Sequence, residues 1–221
     1  MRFLPIRCCL AFLALAGAVL MARGPAEAAD TKDDAGFVKL FNGSDFTGFK
    51  FEVKGPPEKT WSVKEGVIIC TGKPAGYFYT DKSYKNYVLR YDWLYKRPAN
   101  LEDDEKFGGN SGCLVHIQPP QKIWPKCVEV QGMNRSHGAL LFLGVKGMNA
   151  KFDKAALLKA RKKVGEWNTT EITCKADGSI ECKVNRTPVS SGKSELTEGP
   201  IGWQSEGAEI HFRNIKLKQL K

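Results

Sequence analysis

Two short segments of the chain hold residue types suited to acid–base chemistry. Gly108-Gly-Asn-Ser-Gly112 runs directly into Cys113-Leu-Val-His-Ile117, and Cys127-Val-Glu-Val-Gln131 follows shortly afterwards. Side chains on a strand alternate between its faces, so the first segment sets Leu114 and His116 on one side and Cys113, Val115 and Ile117 on the other. In the second, Glu129 and Gln131 share a face while Val128 and Val130 turn to the core. As central strands of a curved sheet, the two would bring Glu129, Gln131 and His116 together on a hollow polar floor. A carboxylate and an imidazole in one hollow are general acid–base groups, and the amide beside them can hold a hydroxyl. The competing reading makes Glu129 an ordinary carboxylate on the solvent side of an antiparallel strand. The same alternation turns Cys113 to the core and Cys127 to the cleft, which argues against a bond between them.

The elements that would position these groups are strands. Strand-like runs recur from Phe37 onward, separated by clusters of Gly, Pro, Asn and Asp, which indicates an all-β sandwich or barrel. Tyr87, Leu89, Tyr91, Trp93 and Tyr95 share one side of a segment with Arg90 and Asp92 on the other, as a half-buried antiparallel strand requires. Similar alternation runs through Ile172-Cys174, Ile180-Cys182-Val184 and Ala208-Ile210-Phe212. There the phase slips before Ile215 and Leu217, which predicts a β-bulge at Arg213-Asn214. Only Asp153 to Lys163 reads as a helix, capped by Asp153, ended by Gly165 and inserted at the surface. No internal repeat or linker divides the chain, so one domain is expected.

The first residues carry Arg2 and Arg7, an apolar run from Cys8 to Met21 and the tripeptide Ala26-Glu27-Ala28. This is the layout of a secretory signal peptide over residues 1–28, with a periplasmic or secreted product. The run is too short to span a bilayer, so stable membrane insertion is not expected after cleavage; a retained signal anchor is the rival. Lys and Arg number 34 against 24 Asp and Glu, a net charge of +10. The basic residues are scattered, apart from Lys159 to Lys163, which argues against a nucleic-acid partner. Glu102-Asp103-Asp104-Glu105 reads as a solvated loop before it reads as a cation site, and no Cys-x-x-Cys or His-Glu-x-x-His motif marks zinc. His137 and His211 have no spaced partner donors and read as structural. Five cysteines remain beyond the leader, an odd number. Aligning Ile172 with Val184 across the Asp177-Gly178 turn sets Cys174 opposite Cys182, where a cross-strand disulfide and two buried thiols are both open.

Several motifs fall in one order: Gly36-Phe-Val-Lys-Leu-Phe-Asn-Gly43, Trp61 with Glu65-Gly66-Val67, Gly108 to Gly112, Val128-Glu-Val-Gln131, Gly165-Glu-Trp-Asn168, Gly199-Pro-Ile-Gly202 and Phe212-Arg-Asn-Ile215. Together they resemble the 3-keto-disaccharide hydrolase domain family, also described as 3-keto-glucoside 1,2-lyase and 3-keto-2-hydroxy-glucal hydratase, over residues 36–218. The resemblance implies a concanavalin A-like lectin/glucanase jelly roll of two antiparallel sheets. It also implies a carbohydrate partner, an oxidised disaccharide or glycoside. A ketone at C3 acidifies the C2 proton, so a carboxylate can remove it, the glycosidic oxygen leaves C1, and water adds back. On that chemistry Glu129 is the base, His116 the enolate donor or leaving-group acid, and Gln131 a hydroxyl ligand, with Asn110 and Arg213 as further contacts. A divalent metal held by His116 and Glu129 is the alternative electrophile. The sequence departs from the family pattern in the helical insertion, in Cys127 where an aromatic is common, and in His116 where a basic residue such as Arg is common.

Two rivals share the fold. A laminarinase-type hydrolase needs paired carboxylates, whereas this strand offers Glu129, Gln131 and Asn134, two of them amides. A non-catalytic carbohydrate-binding module needs only a polar hollow and a surface aromatic such as Trp124 or Trp203, and Trp203 fits a core position as well.

Overall fold

The computed structural model describes residues 34–146 and 149–221. The leader expected over residues 1–28 lies outside them. In chain order the strands are β1 (Val38–Lys39), β2 (Phe49–Val53), β3 (Trp61–Lys64), β4 (Val67–Cys70), β5 (Gly76–Thr80), β6 (Tyr84–Lys85), β7 (Tyr87–Tyr95), β8 (Gly112–Gln118), β9 (Lys126–Gln131), β10 (Leu140–Leu143) and β11 (Ala150–Phe152). The helix α1 (Lys154–Ala160) comes next. After it come β12 (Asn168–Cys174), β13 (Ser179–Val184), β14 (Thr187–Lys193), β15 (Glu198–Gly199), β16 (Gly202–Ser205) and β17 (Ile210–Gln219).

These strands make two antiparallel sheets. One runs β11-β14-β13-β12-β7-β17-β4-β3, with β1 beside β17; the other runs β10-β9-β8-β16-β5-β2; a small ladder joins β15 to β6. Inward side chains of both sheets form the core. Tyr87, Leu89, Tyr91, Trp93 and Tyr95 of β7 are all buried, and their alternate neighbours are not, as the spacing predicts. Across the gap Tyr91 meets Trp203 edge-on at 5.9 Å, and within the second sheet Phe78 lies stacked on Trp203, its cross-strand partner, at 5.2 Å. Trp203 is therefore a core residue. Burying one such large apolar side chain stabilises the sandwich by about 1.5–3 kcal/mol. The architecture is the all-β jelly roll expected from the sequence, with one short helix.

Three local details differ from the expectations or sharpen them. The predicted bulge is present, a register shift between Arg213 and Lys216, with Asn214 at φ 53°. The helix starts at its Asp153 cap, whose carboxylate accepts the Ala156 N–H at 2.8 Å, but it ends at Ala160. Arg161 turns extended there, and its guanidinium binds the Asn134 carbonyl and the Glu105 carboxylate. Leu157 is fully buried, so the helix also seals one end of the core.

The hairpin register is a correction. The turn closes with the Lys175 N–H on the Ser179 carbonyl, which leaves Ala176–Gly178 as a three-residue loop and pairs Cys174 with Ile180 and Cys182 with Ile172. The two sulfurs are not directly opposite, and all five described cysteines are free and buried. Burial pushes their thiols up, Cys174 to about 12, which makes them inert in the fold. Thiol titration is expected to show little reaction in the native protein, and five free thiols beyond the leader in denaturant. A denatured count of three would instead mean that one pair is bonded.

Candidate functional site

Strand β9 is held between β8 and β10, and Glu129 sits opposite Leu114 on one side and Leu141 on the other. Val128 and Val130 face the core, so Glu129 projects from the other face of the sheet. That face carries a pocket of about 590 Å³ lined by Glu129, Gln131, Glu206, Trp124, Leu141 and Leu143, among others. Glu129 is only 5% exposed. Loss of hydration and then the neighbouring charge of Glu206 push its carboxyl up to about 7. Glu206 follows β16 and is itself raised by burial, with a hydrogen bond from the Asn110 side chain opposing the rise. The Glu206 charge thus disfavours ionisation of Glu129, and burial disfavours ionisation of Glu206 itself.

A glycine makes room for this arrangement. A methyl group on Gly112 of β8 would lie 2.1 Å from Gln204 Oε1 and 2.6 Å from Glu129 Oε1. Both side chains therefore lean over a gap that only glycine leaves open. Gln204 is 1% exposed, and neither end of its amide has a protein partner. Gln131 is oriented by the Met133 N–H, which donates to its Oε1 at 2.7 Å and leaves the amide N–H groups as its free donors. The pocket thus presents two neighbouring carboxyls and the Gln131 amide, a set that can move protons and bind hydroxyls, with the Gln204 amide buried beside Glu129.

Of the residues expected here, Glu129 and Gln131 line the pocket, and Asn110 reaches it through Glu206. His116 does not. The β8 register shifts between Val115 and Gln118, and His116 takes a φ of 57°, so the strict alternation assumed from the sequence breaks at this residue. Leu114 and Ile117 therefore share the Tyr77 side of the sheet, and His116 turns into the sandwich against Tyr87, ring centroids 5.8 Å apart. Its Nδ1–H donates to the Leu196 carbonyl at 2.8 Å, and burial pushes the imidazole down to about 4. Close packing supports the kink, since a Cβ on Gly199 would lie 2.6 Å from the His116 carbonyl carbon. His116→Gln is expected to lower the melting temperature while leaving kcat/KM within about threefold, because the ring touches the core and not the pocket. A drop of a hundredfold or so in kcat/KM with stability unchanged would return His116 to the chemistry.

Arg213 also lies away from the pocket. It lies on β17 in the other sheet, with its guanidinium 4.0 Å over the Trp167 ring and Nε 3.3 Å from Asp92. Sequence alternation could not say which sheet β17 joins. The metal alternative falls with His116, because His116 and Glu129 project from opposite faces of the sheet. Among the described residues no three His, Cys, Asp or Glu side chains are grouped to hold an ion. The acidic loop is also accounted for: Asp104 pairs with Arg97 at 2.6 Å and Glu105 with Arg161 at 2.7 Å. His137 is buried, stacked on Trp93 and bonded to Thr170, and burial pushes it down to about 3. His211 sits against Glu209 at 2.9 Å.

The residue missed from the sequence is Glu206. Gly202, Gln204 and Glu206 alternate after the Gly199-Pro-Ile-Gly202 motif and so share a face, but only the pairing of β16 with β8 places that face beside Glu129.

A model of the 3-keto-alpha-glucoside-1,2-lyase-like domain matches residues 36–218. No curated protein matches the sequence. Among solved structures, a proposed glycosyl hydrolase of Parabacteroides distasonis is 25% identical with a TM-score of 0.60, over 84% of this chain and 94% of that one. The carbohydrate-binding module CBM66 from Bacillus subtilis has a TM-score of 0.56 at 12% identity, over 80% of this chain and 98% of that one. The β-glucanase of Bacillus licheniformis has 0.51 at 11% identity, over 84% and 97%. At such low identity these last two speak to the fold alone.

Proposed function

Because the chain belongs to the 3-keto-α-glucoside-1,2-lyase-like domain family, a carbohydrate-acting group, we propose that it cleaves glycosides whose C3 hydroxyl has been oxidised to a ketone. Glu129 takes the C2 proton, and the C–H electrons flow into the C3 carbonyl as an enolate. The Gln131 amide, which lines the pocket, supplies N–H donors to the sugar oxygens around that charge. The enolate then expels O1 from C1, and Glu206 gives the departing oxygen its proton. Addition of water across C1 and C2, hydroxyl to C1 and proton to C2, completes a net hydrolysis. The signal-like N-terminus would put this reaction in the periplasm or outside the cell.

The observation that supports this reading best is the Glu129 carboxyl, buried at the pocket floor and raised to about 7 beside a second acid. A base whose pKa lies near the working pH combines a usable ionised fraction with a strong pull on the proton. The same pair gives the ordinary glycoside hydrolase reading more support than β9 alone, since Glu206 provides the second carboxyl that the strand lacks. Incubation with a 3-keto-disaccharide and its unoxidised parent separates the readings. Turnover of the keto sugar alone is expected. Equal turnover of the parent would favour paired-carboxylate hydrolysis, and binding of both without turnover would make the domain a carbohydrate-binding module.

A further inference from the structure

The pocket has two chemically different ends. Glu129, Gln131 and Glu206 form one, and Trp124, Pro125, Leu141 and Leu143 form much of the other. Four large apolar side chains among the described residues are prominently exposed, and two of them, Trp124 at 49% and Leu141 at 39%, lie in this single pocket. Leu141 is the direct cross-strand partner of Glu129, so the apolar wall begins beside the base. In the elimination reading O1 is one bond from C1 and two from C2, so the leaving group must settle close to Glu129. The hydroxyls of the oxidised sugar need the polar end. The leaving group therefore takes the apolar one.

We infer that this leaving group is flat and largely apolar, an aryl or fused-ring alcohol, and not a second sugar; the inference rests on the function proposed above. A sugar ring can stack its C–H face on Trp124, but its hydroxyls radiate in the ring plane and need partners there. The polar side chains on this wall are Lys122 and Lys126, and Lys126 is engaged by Glu195 at 3.1 Å. Pro125, Leu141 and Leu143 have no side-chain donor to offer. An aryl ring has no such rim to satisfy, and Trp124 and the two leucines offer it apolar surface.

Aryl leaving groups also depart faster for electronic reasons, so the test reads affinity and not rate. Calorimetric titration of the folded Glu129→Gln variant with a 3-keto aryl glucoside and with a 3-keto-disaccharide is expected to show about tenfold or more tighter binding of the aryl compound. Trp124→Ala in the same background is expected to abolish that preference. Equal or tighter binding of the disaccharide would overturn the inference, as would a preference that survives Trp124→Ala combined with Leu141→Ala. If the wild type cleaves the keto-disaccharide while the two ligands bind equally, only this inference fails. If the wild type is inert to every keto ligand and the variant binds none, the proposed function fails with it.

Discussion

Replacing Glu129 by Gln is expected to lower turnover of a 3-keto-glycoside at least about a hundredfold and, in the same protein, to raise the melting temperature at pH 8. The activity arm follows from the loss of the only base proposed for C2. The stability arm follows from where that base is kept. Its carboxyl lies at about 7 in the fold, against an ordinary value of 4.5. Between those two values the unfolded chain gives up a proton that the folded chain still holds, so raising the pH through this window destabilises the fold. A shift of this size corresponds to about 3 kcal/mol, fully expressed above pH 7 and absent below 4.5. Gln occupies the same space without the charge, although its amide is also costly to bury. A gain of a few degrees at pH 8 that disappears toward pH 4.5 is therefore expected in thermal melts. The wild-type rate should fall below about pH 7 as the base becomes protonated. Unchanged turnover in the variant would remove Glu129 from the chemistry, and equal melting at both pH values would contradict the raised carboxyl.

The second large effect is expected at a residue with no side chain. Gly112→Ala should reduce kcat/KM about a hundredfold and lower the melting temperature by several degrees, because the new methyl collides with the buried side chains of Glu129 and Gln204 and not with backbone. Glu129 and Gln204 must swing away to admit it, and a displacement of about 1 Å at a reacting group is enough for such a loss. The pH profile adds a check, since a displaced carboxylate that gains hydration should titrate below 7. If Gly112→Ala keeps full activity, the pocket tolerates that movement and the tight packing around Glu129 is not needed for catalysis.

What could be read from the sequence stops where strands must be paired. The alternation in β7 and β9 is local, so the core side of Tyr91 and Val128 and the outward side of Glu129 follow from spacing alone. The bulge at Asn214 also shows, because Ile215 and Leu217 change phase. His116 misled because its bulge leaves no trace in hydrophobic phase. Ile117 is apolar on either face, and the turn at His116 depends on the contact with Gly199, far along the chain. Register misled at Cys174 and Cys182, where a three-residue loop replaces the closure assumed for Asp177-Gly178. Glu206 and Arg213 show one limit from two directions. Each sits on a face that can be assigned locally, but which sheet that face belongs to is decided by partners at a distance, β8 for β16 and β7 for β17.

The most direct test follows the hydrogen at C2. A 3-keto-glycoside deuterated at C2 is incubated with wild type and with Glu129→Gln, and the isotope content of the released sugar is read by mass spectrometry. Loss of the deuterium to solvent in step with cleavage, a slowed rate for the deuterated substrate, and neither in the variant is the predicted result. Cleavage that keeps the deuterium at C2, or exchange that proceeds as fast without the Glu129 carboxylate, would contradict it.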